Sequence, residues 1–200
     1  MSRTLQFKIE LLHTPIPIWR RLQIRDDYRM DRFHQVLQIA MGWQNAHLHE
    51  FRIQNRTLAM TDDELMEEFP DIEEVASFFL KDFKLQPADT FHYLYDFGDG
   101  WEHLITVGEV SEDYLLFPLC IEGVNHCPPE DCGGNPGFTE LLSIVDDLKH
   151  EEYQEYIDWL PENYDPYSFA KDQINGELLL FGQWHNKNPR EKSTPWHQIE

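Results

Sequence analysis

Residues 4–12 alternate, with Leu5, Phe7, Ile9 and Leu11 spaced by polar partners, which is the period of a half-buried strand. Pro15-Ile16-Pro17 breaks the pattern, because two prolines cannot both donate to a central ladder. A second strand follows at 18–24, with Ile18, Arg20, Leu22 and Ile24 on one side and Trp19, Arg21 and Gln23 on the other. The period changes at 30–41: Phe33, Val36, Leu37, Ala40 and Met41 recur at three and four, Asp31 sits in the first turn and Gly42 follows as a stop. That is a helix. Residues 47–53 return to period two and predict a strand with His47, His49, Phe51 and Ile53 on one face, and Leu48, Glu50 and Arg52 on the other.

Further along, residues 60–75 read as an acidic insert with a short helix near 63–69, and 73–81 as another short helix. Residues 91–97 and 101–110 alternate on either side of Gly98-Asp99-Gly100, a hairpin signal. A two-residue loop at Asp99-Gly100 would set Asp96 opposite His103. Residues 117–136 are too rich in Cys, Pro and Gly for regular structure and read as an ordered loop. Helical spacing resumes at 138–148 and 150–160, an apolar segment at 178–184 docks as a late strand or helical turn, and 186–200 reads as tail. The expectation is a single α+β domain over residues 1–184. It has a mixed or antiparallel sheet built from the N-terminal strand pair, the 47–53 strand and the Gly-Asp-Gly hairpin, covered by the first helix and the C-terminal helices. Residues 185–200 form a tail.

Charge narrows the function. The 200 residues carry 16 bases and 37 acids, a formal charge of −21. Residues 1–34 are slightly basic, whereas from Leu85 to Leu180 the only bases are Lys149 and Lys171, against 21 acids. Such a field repels polyphosphate, so no nucleic-acid partner is expected; a basic protein partner suits it. Charge runs are more often a solvated face than a docking surface. With 14% aromatic residues the chain is not disordered. The charged, alternating start and the lack of a long apolar run predict a cytoplasmic protein without membrane contact.

Four polar clusters carry candidate chemistry: Trp19-Arg20-Arg21; His47-x-His49-Glu50; Asp96-Phe97-Gly98-Asp99-Gly100-Trp101-Glu102-His103; and Cys127-Pro128-Pro129-Glu130-Asp131-Cys132-Gly133-Gly134. Together with Ala40-Met41-Gly42-Trp43, these resemble the Ri-plasmid "open reading frame three"-like family over roughly residues 4–170. The resemblance implies one α+β domain of unassigned biochemical role. Some relatives are labelled transposon resolvases, but a serine recombinase needs a nucleophilic Ser among arginines, and none of the four clusters contains Ser.

Cys120-x6-Cys127-x4-Cys132 offers three thiolates for a divalent metal, zinc first, with His126, His103 or His49 as the fourth ligand; the bland alternative is three buried thiols packed as small hydrophobes. A second set, Arg20, His47, His49, Glu50, Asp96, Asp99, Glu102, His103, Glu130 and Asp131, reads as a polar cleft. In it two histidines on one strand face chelate an ion, Asp96 fixes the His103 tautomer, Glu130 and Asp131 add hard ligands, and Arg20 anchors an anion. Against that, the same groups serve turns and satisfied core positions. Two functions follow: a non-catalytic ligand- or partner-binding module stabilised by a metal, or a metal-dependent hydrolase or nuclease-like enzyme using His47, His49, Asp96, His103 and Glu130.

Overall fold

Both alternating segments at the start of the chain form strands, β1 (Thr4–Leu11) and β2 (Ile18–Arg25), paired antiparallel from Thr4 opposite Arg25 to Leu11 opposite Ile18. The structure is a computed structural model that describes residues 2–61 and 69–188. The period change at residue 30 gives helix α1 (Met30–Met41), stopped by Gly42 in the left-handed conformation at φ 84°, whose N–H donates to the Gln38 and Ile39 carbonyls. No side chain caps the start of α1; the carbonyl of Phe78 accepts from Met30 N–H instead, a long-range substitute for a local cap.

The rest of the sheet comprises β3 (His49–Ile53), β4 (Arg56–Ala59), β5 (Ile72–Glu74), β6 (Thr90–Tyr95), β7 (Trp101–Ser111) and β8 (Leu119–Val124). The strand order is β5-β4-β3-β6-β7-β1-β2-β8, and only the β4–β5 pair is parallel. Helices α2 (Gly134–Val145), α3 (Tyr153–Trp159) and α4 (Lys171–Lys187) follow. The result is one α+β domain with a mixed sheet. All twelve residues of α1 are buried, because the helix lies between the sheet, where Phe33 meets Phe7 and Phe51, and α4 with the Val75–Ser77 turn. The core runs from Phe7, Ile9 and Leu22 through Phe33, Phe51 and Phe91 to Trp43 and Trp101.

Several expectations are corrected. The 73–81 segment is not an α-helix: it is β5 followed by two short 3-10 turns at Val75–Ser77 and Leu80–Phe83, held to the chain before α1 by Leu80 N–H on the Tyr28 carbonyl. Most of the short helix expected near residue 63 lies outside the described residues. The 117–136 loop contains the edge strand β8, which needs a ladder on one side only and tolerates a glycine at 123. Helix α2 starts at Gly134, earlier than expected, because Pro136 fits its first turn, where no N–H partner is required. Residues 178–184 belong to a 17-residue helix that buries Ile174, Leu178, Phe181 and His185 at spacings of four, three and four, so the chain stays packed to Lys187. Residues 189–200 lie outside the described residues.

The hairpin register also differs. Tyr95 pairs with Trp101 and Tyr93 with His103, which leaves a five-residue loop at 96–100 and takes Asp96 out of the ladder. Asp96 adopts φ 56°, its carbonyl accepts from Gly100 N–H, and its carboxylate Oδ1 accepts from the N–H groups of Gly98 (2.9 Å) and Asp99 (3.3 Å). The aspartate builds the turn itself, and that overrides the two-residue loop the Asp-Gly pair suggested.

Candidate functional site

At the end of the sheet beyond the row His49–Tyr95–Trp101, three segments meet: residues 43–48 after α1, the 96–100 hairpin loop and the 127–134 loop before α2. Trp43 Nε1 donates to the Pro128 carbonyl at 2.9 Å, and Asp96 N–H donates to the Leu48 carbonyl at 2.9 Å. Glu130 ties the remaining ends together: Oε2 accepts from Gln44 N–H at 2.9 Å, and Oε1 accepts a short hydrogen bond from the Tyr95 hydroxyl. The Asp99 carbonyl lies so close to Gly134 that a Cβ there would stand 2.5 Å from it. Asp131, at φ 59°, is thereby turned toward His47.

His47 Nε2 lies 3.2 Å from Asp131 Oδ1 and 3.6 Å from Asp96 Oδ2. One ligand atom from each of these residues falls within 4.8 Å of the other two, the one such group of three His, Cys, Asp or Glu among the described residues. Asp96 is buried, Asp131 is exposed, and His47 Nε2 is sealed from solvent without a hydrogen-bond partner of adequate geometry.

The other predicted residues go elsewhere. His47 is not part of β3, and the two histidines do not chelate together: His49 is buried and stacks on His34 from α1, with neither ring nitrogen hydrogen-bonded. Burial and the neighbouring His34 hold its pKa well below the usual imidazole range. Strand alternation puts Glu50 and Glu102 on the opposite face, where Glu50 pairs with Arg52, and Glu102 with His92 (2.9 Å) and His13 (3.4 Å). His103 is fully buried, its Nδ1 3.2 Å from the Tyr93 carbonyl, and burial pushes its pKa down to about 4. Asp96 does not fix its tautomer, since Tyr93 occupies the facing position.

Arg20 is committed to backbone and thiol partners. It is buried and donates to the carbonyls of Ala40, Trp19 and Val124 at 2.9 Å each and to Cys127 Sγ at 3.4 Å. The cysteines do not converge. Cys120 backs onto Asn175, Cys127 sits between Arg20 and Met41, and Cys132 lies beside Asp99 and Gly134. Burial raises the thiol pKa of Cys120 to about 11 and that of Cys132 to about 12. His126 bonds the Cys127 carbonyl through Nδ1 and is no partner to the thiols.

Sequence reasoning missed the buried polar group behind the site. Gln38 Nε2 donates to the Tyr93 hydroxyl (2.9 Å), which lies 2.8 Å from His34 Nδ1, and His34 Nε2 lies 2.5 Å from Asn45 Oδ1. His34 and Gln38 are four residues apart on a helix, a spacing that places them on one face, but a twelve-residue helix buried on every side does not follow from that pattern.

The profile of the family described as "Plasmid pRiA4b ORF-3-like protein" matches residues 3–173. The chain is 34% identical over 193 residues to the uncharacterized protein y4hQ of Sinorhizobium fredii (strain NBRC 101917 / NGR234), covering 95% of this chain and 98% of that one. Among solved structures it is similar to a protein of unknown function, MM3350 from Methanosarcina mazei Go1, with a TM-score of 0.77 and 27% identity over 86% of this chain and 97% of that one. No helix among the described residues is long and apolar enough to cross a membrane. Fold, motif order and profile agree, and the chain belongs to the plasmid pRiA4b ORF-3-like family.

Proposed function

We propose that this protein is a non-catalytic binding module of the cytoplasm, in which a divalent cation at His47, Asp96 and Asp131 clamps the 96–100 loop to the 127–134 loop and holds an acidic surface ready for a basic partner. The observation that carries the reading is the convergence of His47 Nε2, Asp96 Oδ2 and Asp131 Oδ1. Two ligands about 2.1 Å from one ion and roughly 90–110° apart stand about 3.0–3.4 Å from each other. The 3.2 Å separation lies within that range and the 3.6 Å separation just beyond it. His47 Nε2 is shielded yet not hydrogen-bonded, a state that costs free energy unless a cation, or a proton paired with the two carboxylates, takes its lone pair. One nitrogen and two carboxylate oxygens suit zinc better than calcium.

A metal-dependent hydrolase is the second reading, favoured by the exposure of Asp131, which leaves room for a water on the ion. Against it, Glu130 is bound to Tyr95 and Gln44, and His49 and His103 are buried in the core, which leaves the Asp99 carboxylate as the general base nearest to hand. The test is metal analysis of protein purified without added ions, followed by calorimetric titration of the chelator-treated protein with zinc. About one equivalent in the unmodified protein and none in Asp96→Asn is the expected result; no ion at either step sinks the clamp. Zinc-dependent turnover of a phosphodiester or ester, lost in Asp96→Asn, would replace the module by the enzyme.

A further inference from the structure

Beside the clamp lies a cavity of about 310 Å³ lined by Asp131, Cys132, Glu155, Tyr156 and Trp159. Its second wall is α3, on which Glu155, Tyr156 and Trp159 lie at spacings of one, three and four, so that Tyr156 and Trp159 share a face with Glu155 next to them. The two rings stand edge to face with centroids 6.4 Å apart, and Trp159 is half exposed. No residue of α3 is buried. Tyr156 packs part of its ring against the core, whereas Glu155 and the half-exposed Trp159 ring are left facing the cavity and the acidic loop, open to a ligand.

We infer that this cavity binds an arginine side chain of a basic peptide, its guanidinium lying on the Trp159 ring with Glu155 and Asp131 as the carboxylates that receive its N–H groups. The inference rests on the binding-module reading and names where the basic partner is gripped. Aromatic faces and carboxylates together select a cation, through the ring quadrupole and charge-assisted hydrogen bonds. A planar guanidinium satisfies both at once, which a compact ammonium does not. The surroundings carry the same sign: between Lys149 and Lys171 there are six acids and no base. Asp131 keeps a second carboxylate oxygen when the first is turned to His47, so clamp and cavity are compatible.

The test is fluorescence anisotropy of a labelled peptide carrying two arginines among neutral residues, titrated with the full chain. A matched lysine peptide and the variants Glu155→Gln, Trp159→Ala and Asp172→Asn complete the set, the last removing an exposed acid on α4 as a charge control. Saturable binding that weakens about ten-fold in Glu155→Gln and Trp159→Ala, holds in Asp172→Asn and falls for the lysine peptide is expected. Equal loss in all three variants, no loss in any, no binding at all, or equal affinity for lysine overturns the assignment. Protein that carries no ion yet binds in the expected pattern refutes the clamp and keeps the cavity; protein that holds zinc but ignores Glu155→Gln does the reverse.

Discussion

The imidazole rings of His34 and His49 lie face to face inside the protein, centroids 3.4 Å apart and planes within 2° of parallel. Their hydrogen bonding is opposite. His34 is satisfied on both nitrogens by Tyr93 and Asn45, whereas His49 has no partner on either. Since the Asn45 oxygen can only accept, His34 carries its proton on Nε2 and takes the Tyr93 hydroxyl proton on Nδ1.

The asymmetry separates two substitutions of the same kind. His49→Leu removes two unsatisfied polar atoms and is expected to leave stability unchanged or raise it by about 1 kcal/mol. His34→Leu leaves the Asn45 oxygen without its donor and the Tyr93 hydroxyl proton without its acceptor, and is expected to lower it by about 2 kcal/mol. Urea midpoints of the two variants decide the matter, and equal losses would refute the tautomer assignment.

Asp96 has two separable tasks. Asparagine tolerates left-handed φ and keeps an oxygen for the Gly98 and Asp99 N–H groups, so Asp96→Asn is expected to hold the turn while zinc affinity falls at least ten-fold. Asp96→Ala loses both, with a further drop of about 1–2 kcal/mol in metal-free stability. Melting curves in chelator, set beside zinc titrations, distinguish the two tasks; an Asn variant as unstable as the Ala variant would show that charge, not turn geometry, matters at this position.

Local periodicity revealed the strands and the helix whose burial pattern is simple: β1, β2 and α1 stand where alternation and three-four spacing put them. It failed where tertiary partners replace local signals. β8 is legible only beside β2, and the start of α2 depends on Gly137, where a Cβ would sit 1.8 Å from the Cys132 carbonyl. The site was half legible. His47, Asp96 and Asp131 all stood among the singled-out residues, but which histidine joins which acid depends on a five-residue loop that a two-residue hairpin signal concealed.

Arg20 shows that a buried charge need not face a carboxylate. Its guanidinium is spent on three backbone carbonyls and one thiol, joining β2 to the end of α1 and to β8. Arg20→Lys keeps the charge but not the fork of donors, so it is expected to lose about 3 kcal/mol, nearly as much as Arg20→Ala. Thermal denaturation of both variants checks this, and a lysine variant as stable as the parent would mean that charge alone suffices.

Gly137 fixes the approach of the 127–134 loop to α2, and Gly137→Ala is expected to cost more than about 3 kcal/mol, because the added Cβ meets backbone and not a movable side chain. A loss below about 1 kcal/mol in urea denaturation would mean that the loop gives way without loosening the fold.

Acid is expected to unfold the protein well above the pH at which its carboxylates protonate. Burial lowers the pKa of His34, His103 and His185 to about 4, and at His185 the nearby Arg32 and Arg25 add to the effect. In the unfolded chain each titrates near 6.5. Between those values the unfolded state binds protons that the folded state refuses, so stability is complete above about pH 6.5 and declines as pH falls toward 4. Each histidine contributes a slope of roughly 1.4 kcal/mol per pH unit, so these three together remove at most about 10 kcal/mol across that window, comparable to a typical stability of about 5–15 kcal/mol. The relief of acidic self-repulsion on the way to the isoelectric point works in the other direction. Urea midpoints are expected to fall steadily from pH 7 to pH 5, and less steeply in His103→Leu, which removes one of the buried rings; His49 and His126, whose pKa values burial also lowers, act in the same direction. Midpoints that stay flat across that range would show that these histidines take up protons without unfolding the core around them.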